Sequence, residues 1–204
     1  MKNRMVNEPA TPASVAVAQS PEWVPAMDHR LTVIGTRILI GADAFFYAAF
    51  FFAFFYLRAM NNNNDWMTHG VTQPSRTLGA LIALFMIVTA VLYVAAMRNA
   101  LRTTTLLWVA FVSGLLAIGF QVYEYQHLGF DPQQGGGYPS VFIGLTGSLM
   151  IQFAIALVWL VTHIAQAGPG RDLVTRRATA VQFGNVLLFL AGISLITYLV
   201  LFFV

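Results

Sequence analysis

No cysteine occurs in the 204 residues, and charge is scarce, with 9% of positions Asp, Glu, Lys or Arg. The first absence excludes disulfides, iron–sulfur clusters, thiolate zinc sites and a copper centre built on a Cys pair. The second excludes an ordinary soluble domain, which carries about 25% charged residues. The eleven basic residues are spread thinly along the chain, so they read as topology markers and no nucleic-acid partner is expected. Proline is kept out of the apolar stretches, and Pro139 lies immediately before one of them, where a missing N–H costs nothing. Residues 1–30 hold no apolar core long enough for a secretory leader and are expected to form a polar tail, with Trp23 and His29 near lipid headgroups.

What the chain has in abundance is hydrophobic length. Apolar residues make up 58% of it, arranged in five stretches at about 31–57, 78–97, 104–123, 140–163 and 180–204. Each reaches or nearly reaches the roughly 20 residues that a spanning helix requires. The expected fold is therefore an all-α integral membrane protein, a bundle of five transmembrane helices after the tail, filling residues 31–204. The very short link around Arg98–Arg102 makes the second and third helices an antiparallel hairpin. The stretches 61–75, 129–139 and 167–177 read as loops.

Charge then orients the bundle. With the N-terminus cytoplasmic, nine basic residues lie inside (Lys2, Arg4, Arg30, Arg37, Arg98, Arg102, Arg171, Arg176, Arg177) and two outside (Arg58, Arg76). That asymmetry predicts N-in and C-out, with Asp65, Glu124 and Asp131 on the outer side. The expected location is a prokaryotic inner or plasma membrane. Arg37 and Arg98, at the inner face, are candidate contacts for anionic lipid headgroups.

The first stretch, Leu31 to Leu57, organises the rest. At about 1.5 Å per residue it covers roughly 40 Å, and Asp43 sits about 18 Å along it, close to the midplane. An unpaired carboxylate there costs at least about 2.5 kcal/mol, so Asp43 is expected to be protonated, paired or turned inward. It serves either as a hydrogen bond between helices or as a functional acid. The other polar candidates are amides and one more acid. Gln121 and Glu124 share a face of the third helix near its outer end, Gln152 lies mid-span in the fourth, and Gln182 and Asn185 share a face early in the fifth. Such residues are expected to tie helices together. Glu124 and Asp43 lie at different depths and form no acid–base pair. Gly35, Gly41, Gly114, Gly119, Gly144, Gly147, Ser148 and Gly192 are expected at close helix contacts, and Trp66 and Tyr138 in the interfacial aromatic belt.

Haem ligation needs His, or Met, Cys or Tyr, aimed at one plane from within the bundle, and histidine is the first candidate. His29, His69, His127 and His163 all map to the tail, loops or helix ends, with His163 expected to snorkel. No catalytic, cofactor-binding or metal-binding residue is therefore expected in this chain.

Three motifs add a resemblance. Residues 40–46, Ile-Gly-Ala-Asp-Ala-Phe-Phe, precede a run of aromatics. Residues 119–125 read Gly-Phe-Gln-Val-Tyr-Glu-Tyr. Residues 138–147 read Tyr-Pro-Ser-Val-Phe-Ile-Gly-Leu-Thr-Gly. Their order and spacing, with the Gly-rich loop between the second and third, resemble subunit III of the haem–copper respiratory oxidases in its five-span form. Asp43 takes the place of that family's first-helix acid. Where the family has two histidines after Thr-Gly, this chain has Leu149 and Gln152. Where its last helix opens with Trp-His-Phe…Asp, this chain has Val181, Gln182, Phe183 and Asn185. Amides keep hydrogen-bonding capacity without an exchangeable proton, so a structural role survives the change.

The resemblance implies an accessory, non-catalytic subunit that packs on oxidase subunit I, with subunit II and other small subunits as further neighbours. It implies haem and copper in subunit I, none in this chain, and bound phospholipid in the helix clefts. Two other readings stay open: a small proton-coupled transporter using Asp43, and the accessory subunit of a nitric oxide reductase.

Overall fold

A computed structural model describes residues 24–61, 66–67, 71–98, 103–130, 136–166 and 173–204, with side chains beginning at 30 in the first helix and at 179 in the last. The expected tail up to Trp23, the charges Lys2, Arg4, Asp65, Arg102, Asp131 and Arg171, and His69 lie outside the described residues, as do the side chains of His29, Arg176 and Arg177.

Among the described residues there are five helices, all long and apolar enough to cross a membrane. They are α1 (Val24–Ala59), α2 (Arg76–Arg98), α3 (Thr103–Gln126), α4 (Gly137–Gln166) and α5 (Leu173–Phe203). The apolar stretches locate them, but the helices run further. α1 begins seven residues before the expected start at 31 and so takes in part of the polar tail, and α5 begins seven before 180. Hydropathy marks only the apolar length. The extra polar turns carry the unpaired terminal N–H groups out of the apolar zone. Pro139 is the third residue of α4 rather than its forerunner, still within the first turn where no N–H is needed. Gly136, just before that turn, has φ 115°, which only glycine adopts without strain.

Successive helices run up and down. At one end, the Trp66 end, the ring of Trp66 packs on Phe54 of α1 and Tyr138 of α4 (centroids 5.1 and 5.7 Å). The backbone there is closed by Tyr138 N–H donating to Trp66 O at 3.0 Å. At the opposite, Arg98 end, Tyr93 donates its hydroxyl to Ala180 O at 3.1 Å. Helices α2 and α3 share the most extensive contact, as their short link dictates. With α4 and α5 they close a four-helix unit, and α1 packs outside it against two of its helices, α4 and α5.

The main core fills the four-helix unit with Met86, Tyr93, Leu107, Phe153, Leu160, Phe183, Leu187 and Leu190. A second cluster at the Trp66 end joins Phe54, Tyr138, Phe142, Leu145 and Phe202. Tyr138, expected in the aromatic belt, is 1% exposed and belongs to this core. His163 does not snorkel either. Its ring stacks on Phe183 at 5.0 Å and meets Tyr93 at 5.9 Å.

The glycines divide. A methyl group at Gly114 would collide with Leu157, and one at Gly144 would come within 2.8 Å of Phe50, so both mark the expected close approach. Gly147 has only ordinary contact with Tyr125. At Gly35, Gly41, Gly119 and Gly192 a methyl group would meet nothing within 4 Å among the described residues, so within the bundle these four make no close contact, against expectation. Gly79, under Phe202, is a close contact not expected from sequence, while Gly184 has ordinary contact with Tyr93. Gly114→Ala is expected to force Leu157 from its place and destabilise the bundle by about 1–3 kcal/mol. Gly119→Ala should be neutral or slightly stabilising. Thermal unfolding of the two variants in mild detergent checks the contrast.

Candidate functional site

Two polar networks lie within the spans. The first ties α1 to α4. Asp43 and Tyr47 are one turn apart, on one face of α1, and Gln152 reaches both from the middle of α4. Tyr47, fully buried, donates its hydroxyl to Gln152 Oε1 at 2.8 Å, and Gln152 Nε2 donates to Asp43 Oδ1 at 3.2 Å. The amide has one sensible orientation. The tyrosine proton claims its oxygen, which leaves its N–H for the carboxylate. Asp43 is half-buried, at the edge of the contact between α1 and the rest of the bundle. It is thus paired and turned inward, and Gln152 is the helix-linking amide the sequence led one to expect.

Asp43→Ala is expected to remove one interhelical bond and cost about 0.6–2 kcal/mol. Asp43→Asn should recover much of that, since an amide oxygen still accepts from Gln152. Equal losses in unfolding measurements on the two variants would show that the bond carries no stability.

Gln182 and Asn185 behave otherwise. Asn185 Nδ2 donates to Gln182 Oε1 at 3.4 Å, a bond within α5 rather than between helices, and Asn185 is exposed. The ring of Tyr47 meets Phe189 of α5 at 6.5 Å. One turn earlier on these two parallel helices stand Asp43 and Asn185.

The second network lies inside the four-helix unit. Gln121 Nε2 donates to Glu124 Oε2 at 2.8 Å, and both residues are 3% exposed. Glu124, expected near the outer end of its helix, is turned into the bundle. The reason is periodic. Ala110, Gly114, Ala117, Gln121 and Glu124 follow a spacing of four and three, and all lie on the buried stripe of α3. Beside this pair, Thr146 donates to Phe142 O at 2.6 Å, so the 2.7 Å contact with Tyr125 has the tyrosine as donor.

Among the described residues, most side-chain bonds between helices come from hydroxyls: Tyr47 to α4, Tyr93 to α5, Tyr125 to α4, Ser113 to Phe85 O of α2 at 3.1 Å and Thr103 to Ala96 O of α2 at 3.3 Å. Of these, only the bond to Gln152 involves one of the amides and acids expected to tie helices together. A serine one residue from Gly114 on a helix-facing stripe was the available signal.

His127 lies just past the end of α3, its ring tilted against that of Tyr123 with centroids 4.1 Å apart. Arg37 and Arg98 are both exposed. Among the described residues no three His, Asp or Glu side chains come together in a metal-binding group. No family model matches the chain, and no curated protein matches it either.

Proposed function

We propose that this chain is the accessory, non-catalytic subunit III of a haem–copper terminal oxidase, bracing the subunit I that reduces oxygen and moves protons. The motif order in α1, α3 and α4 supports the choice of complex. The observation that carries the accessory role is the outer face of α1. Only 11% of its most apolar window is buried, against 33–50% for the other four helices. Its four most exposed large side chains, Leu31, Ile38, Phe45 and Phe52 at 59–80%, recur every seven positions. Ile34, Gly41, Ala48 and Phe55 run beside them three residues on, completing the period of 3.5 that suits a helix crossing at about +20°. Gly41, open above its Cα, and Ala48 let a second backbone approach, as small residues do between membrane helices.

In this reading the N-terminus is cytoplasmic and the C-terminus outside, in a prokaryotic plasma membrane. Subunit II and small subunits are further neighbours. Haem and copper stay in subunit I, and phospholipid occupies the clefts, with exposed Arg37 and Arg98 at its headgroups. Asp43 acts by holding α1 in its pose.

Purification from native membranes in mild detergent tests the reading through subunit masses and optical spectrum. A haem-bearing particle containing a large partner chain is expected. A single-chain particle without haem absorbance would overturn it, and Asp43-dependent uptake by the chain alone in vesicles would promote the transporter instead.

A further inference from the structure

The polar side chains of the second network surround a cavity of about 30 Å³ between α2, α3, α4 and α5, toward the Trp66 end. Roughly 10–15 Å³ is enough for one water molecule, provided it finds polar partners. The polar lining is Gln121, Glu124, Thr146, Ser194 and Thr197. Two of these carry a buried oxygen with no hydrogen-bond partner, Glu124 Oε1 and Thr197 Oγ1, on residues 3% and 4% exposed. Leaving such groups unmade costs stability, and most strongly for a carboxylate.

The supply of hydrogens decides what fits. Ser194 gives its hydroxyl hydrogen to Ala191 O at 2.8 Å, and Thr146 gives its own to Phe142 O. Both therefore offer lone pairs only. Gln121 turns its amide nitrogen to Glu124 Oε2. Among the serine and threonine hydroxyls lining the cavity, Thr197 alone has an uncommitted hydrogen. Acceptors outnumber donors, so the occupant must bring hydrogens with it.

We propose that the cavity holds a water molecule bridging Glu124 Oε1 and Thr197 Oγ1, and that Glu124 binds and releases a proton through it. Water supplies two hydrogens to the acceptors and a lone pair to the Thr197 hydroxyl. When a hydronium ion delivers the proton, the carboxylate becomes the neutral acid and water is left behind. The other titratable groups facing the site are phenols: Tyr125 on α3, Tyr138 on α4 and Tyr198 on α5. A phenol is ordinarily a far weaker acid than a carboxylic acid, so the carboxyl is the group of the four that gives up and takes back a proton most readily. From α2 come only Gly79, Ile82 and Ala83, while Arg76 lies beyond, over the ring of Phe203 at 5.7 Å. A methyl group at Gly79 would sit 2.5 Å from the Phe202 ring, so that ring lies tight on α2 beside the cavity. This site is separate from Asp43 and does not depend on which complex the chain joins.

Infrared spectroscopy of the full chain tests it. A carboxylic C=O band that Glu124→Gln abolishes is expected, and it should shift on transfer to D₂O. Thr197→Val should slow that shift about tenfold, the equivalent of one lost hydrogen bond, and Thr197→Ser should restore it. Absence of any band that depends on Glu124, or a band that stays unshifted in D₂O, would overturn the proposal. A high-resolution map of the unmodified chain decides independently of how the variants fold. Density between Glu124 and Thr197 supports the site, and an empty cavity refutes it.

Discussion

Tyr47→Ala is expected to loosen α1 from the bundle and lower stability by about 3–5 kcal/mol. Of the described side chains on α1, only Tyr47 and Phe54 are buried, so the helix is held by few anchors. Tyr47 is the larger contributor to the mid-span contact. Its ring packs on Phe46 and Phe189 (5.4 and 6.5 Å), and its hydroxyl starts the bond chain to Gln152 and Asp43. Alanine removes both the ring and the hydroxyl, and it leaves Gln152 Oε1 without its donor. Tyr47→Phe keeps the ring and should lose only about 0.6–1.7 kcal/mol, the range for a hydrogen bond between membrane helices. Denaturant unfolding in mild detergent, followed by tryptophan fluorescence, separates the two. Equal losses for Phe and Ala would mean that the bond chain, not packing, holds α1.

The paired substitution Phe45→Ala and Phe52→Ala should act on a different property. Both rings are among the most exposed in the chain, at 80% and 70%, so the isolated bundle should unfold at an unchanged temperature. If the heptad seam meets a partner helix, two aromatic anchors disappear from the contact. Aromatic anchors of this kind contribute 2 kcal/mol or more each, so the haem-bearing partner recovered with the chain should fall at least about tenfold. Its absorption spectrum should stay the same, because no cofactor ligand has been touched. Unchanged recovery of the partner would place the docking surface elsewhere. Loss of the bundle's own stability would mean that the rings serve the fold.

The spans were legible because crossing length and apolar composition are properties of a stretch by itself. What each span faces was not. Lipid and protein core are equally apolar, so an exposed Phe45 and a buried Phe153 look alike in sequence. Glycines gave half an answer for the same reason. A missing side chain permits close approach without saying that a neighbour takes it up, as Gly114 and Gly119 show. Glu124 was legible in principle, from its place on the three-four stripe of α3, but its position near a helix end suggested the surface. The hydroxyl bonds of Tyr93 and Tyr125 were hidden because tyrosine near a span end reads as a belt residue. Asp43 with Gln152 could be expected as a type of contact, yet nothing in the sequence paired those two residues with Tyr47.

In the function proposed above, the outer face of α1 is covered by the chain that carries the redox metals. A chain without cysteine allows a clean experiment. Phe45→Cys places one thiol on the seam, and a short thiol-directed photo-crosslinker can be activated in native membranes. The expected result is a single adduct with a larger membrane chain that carries haem absorbance. Crosslinks to lipid alone, or to a chain without haem, would contradict it.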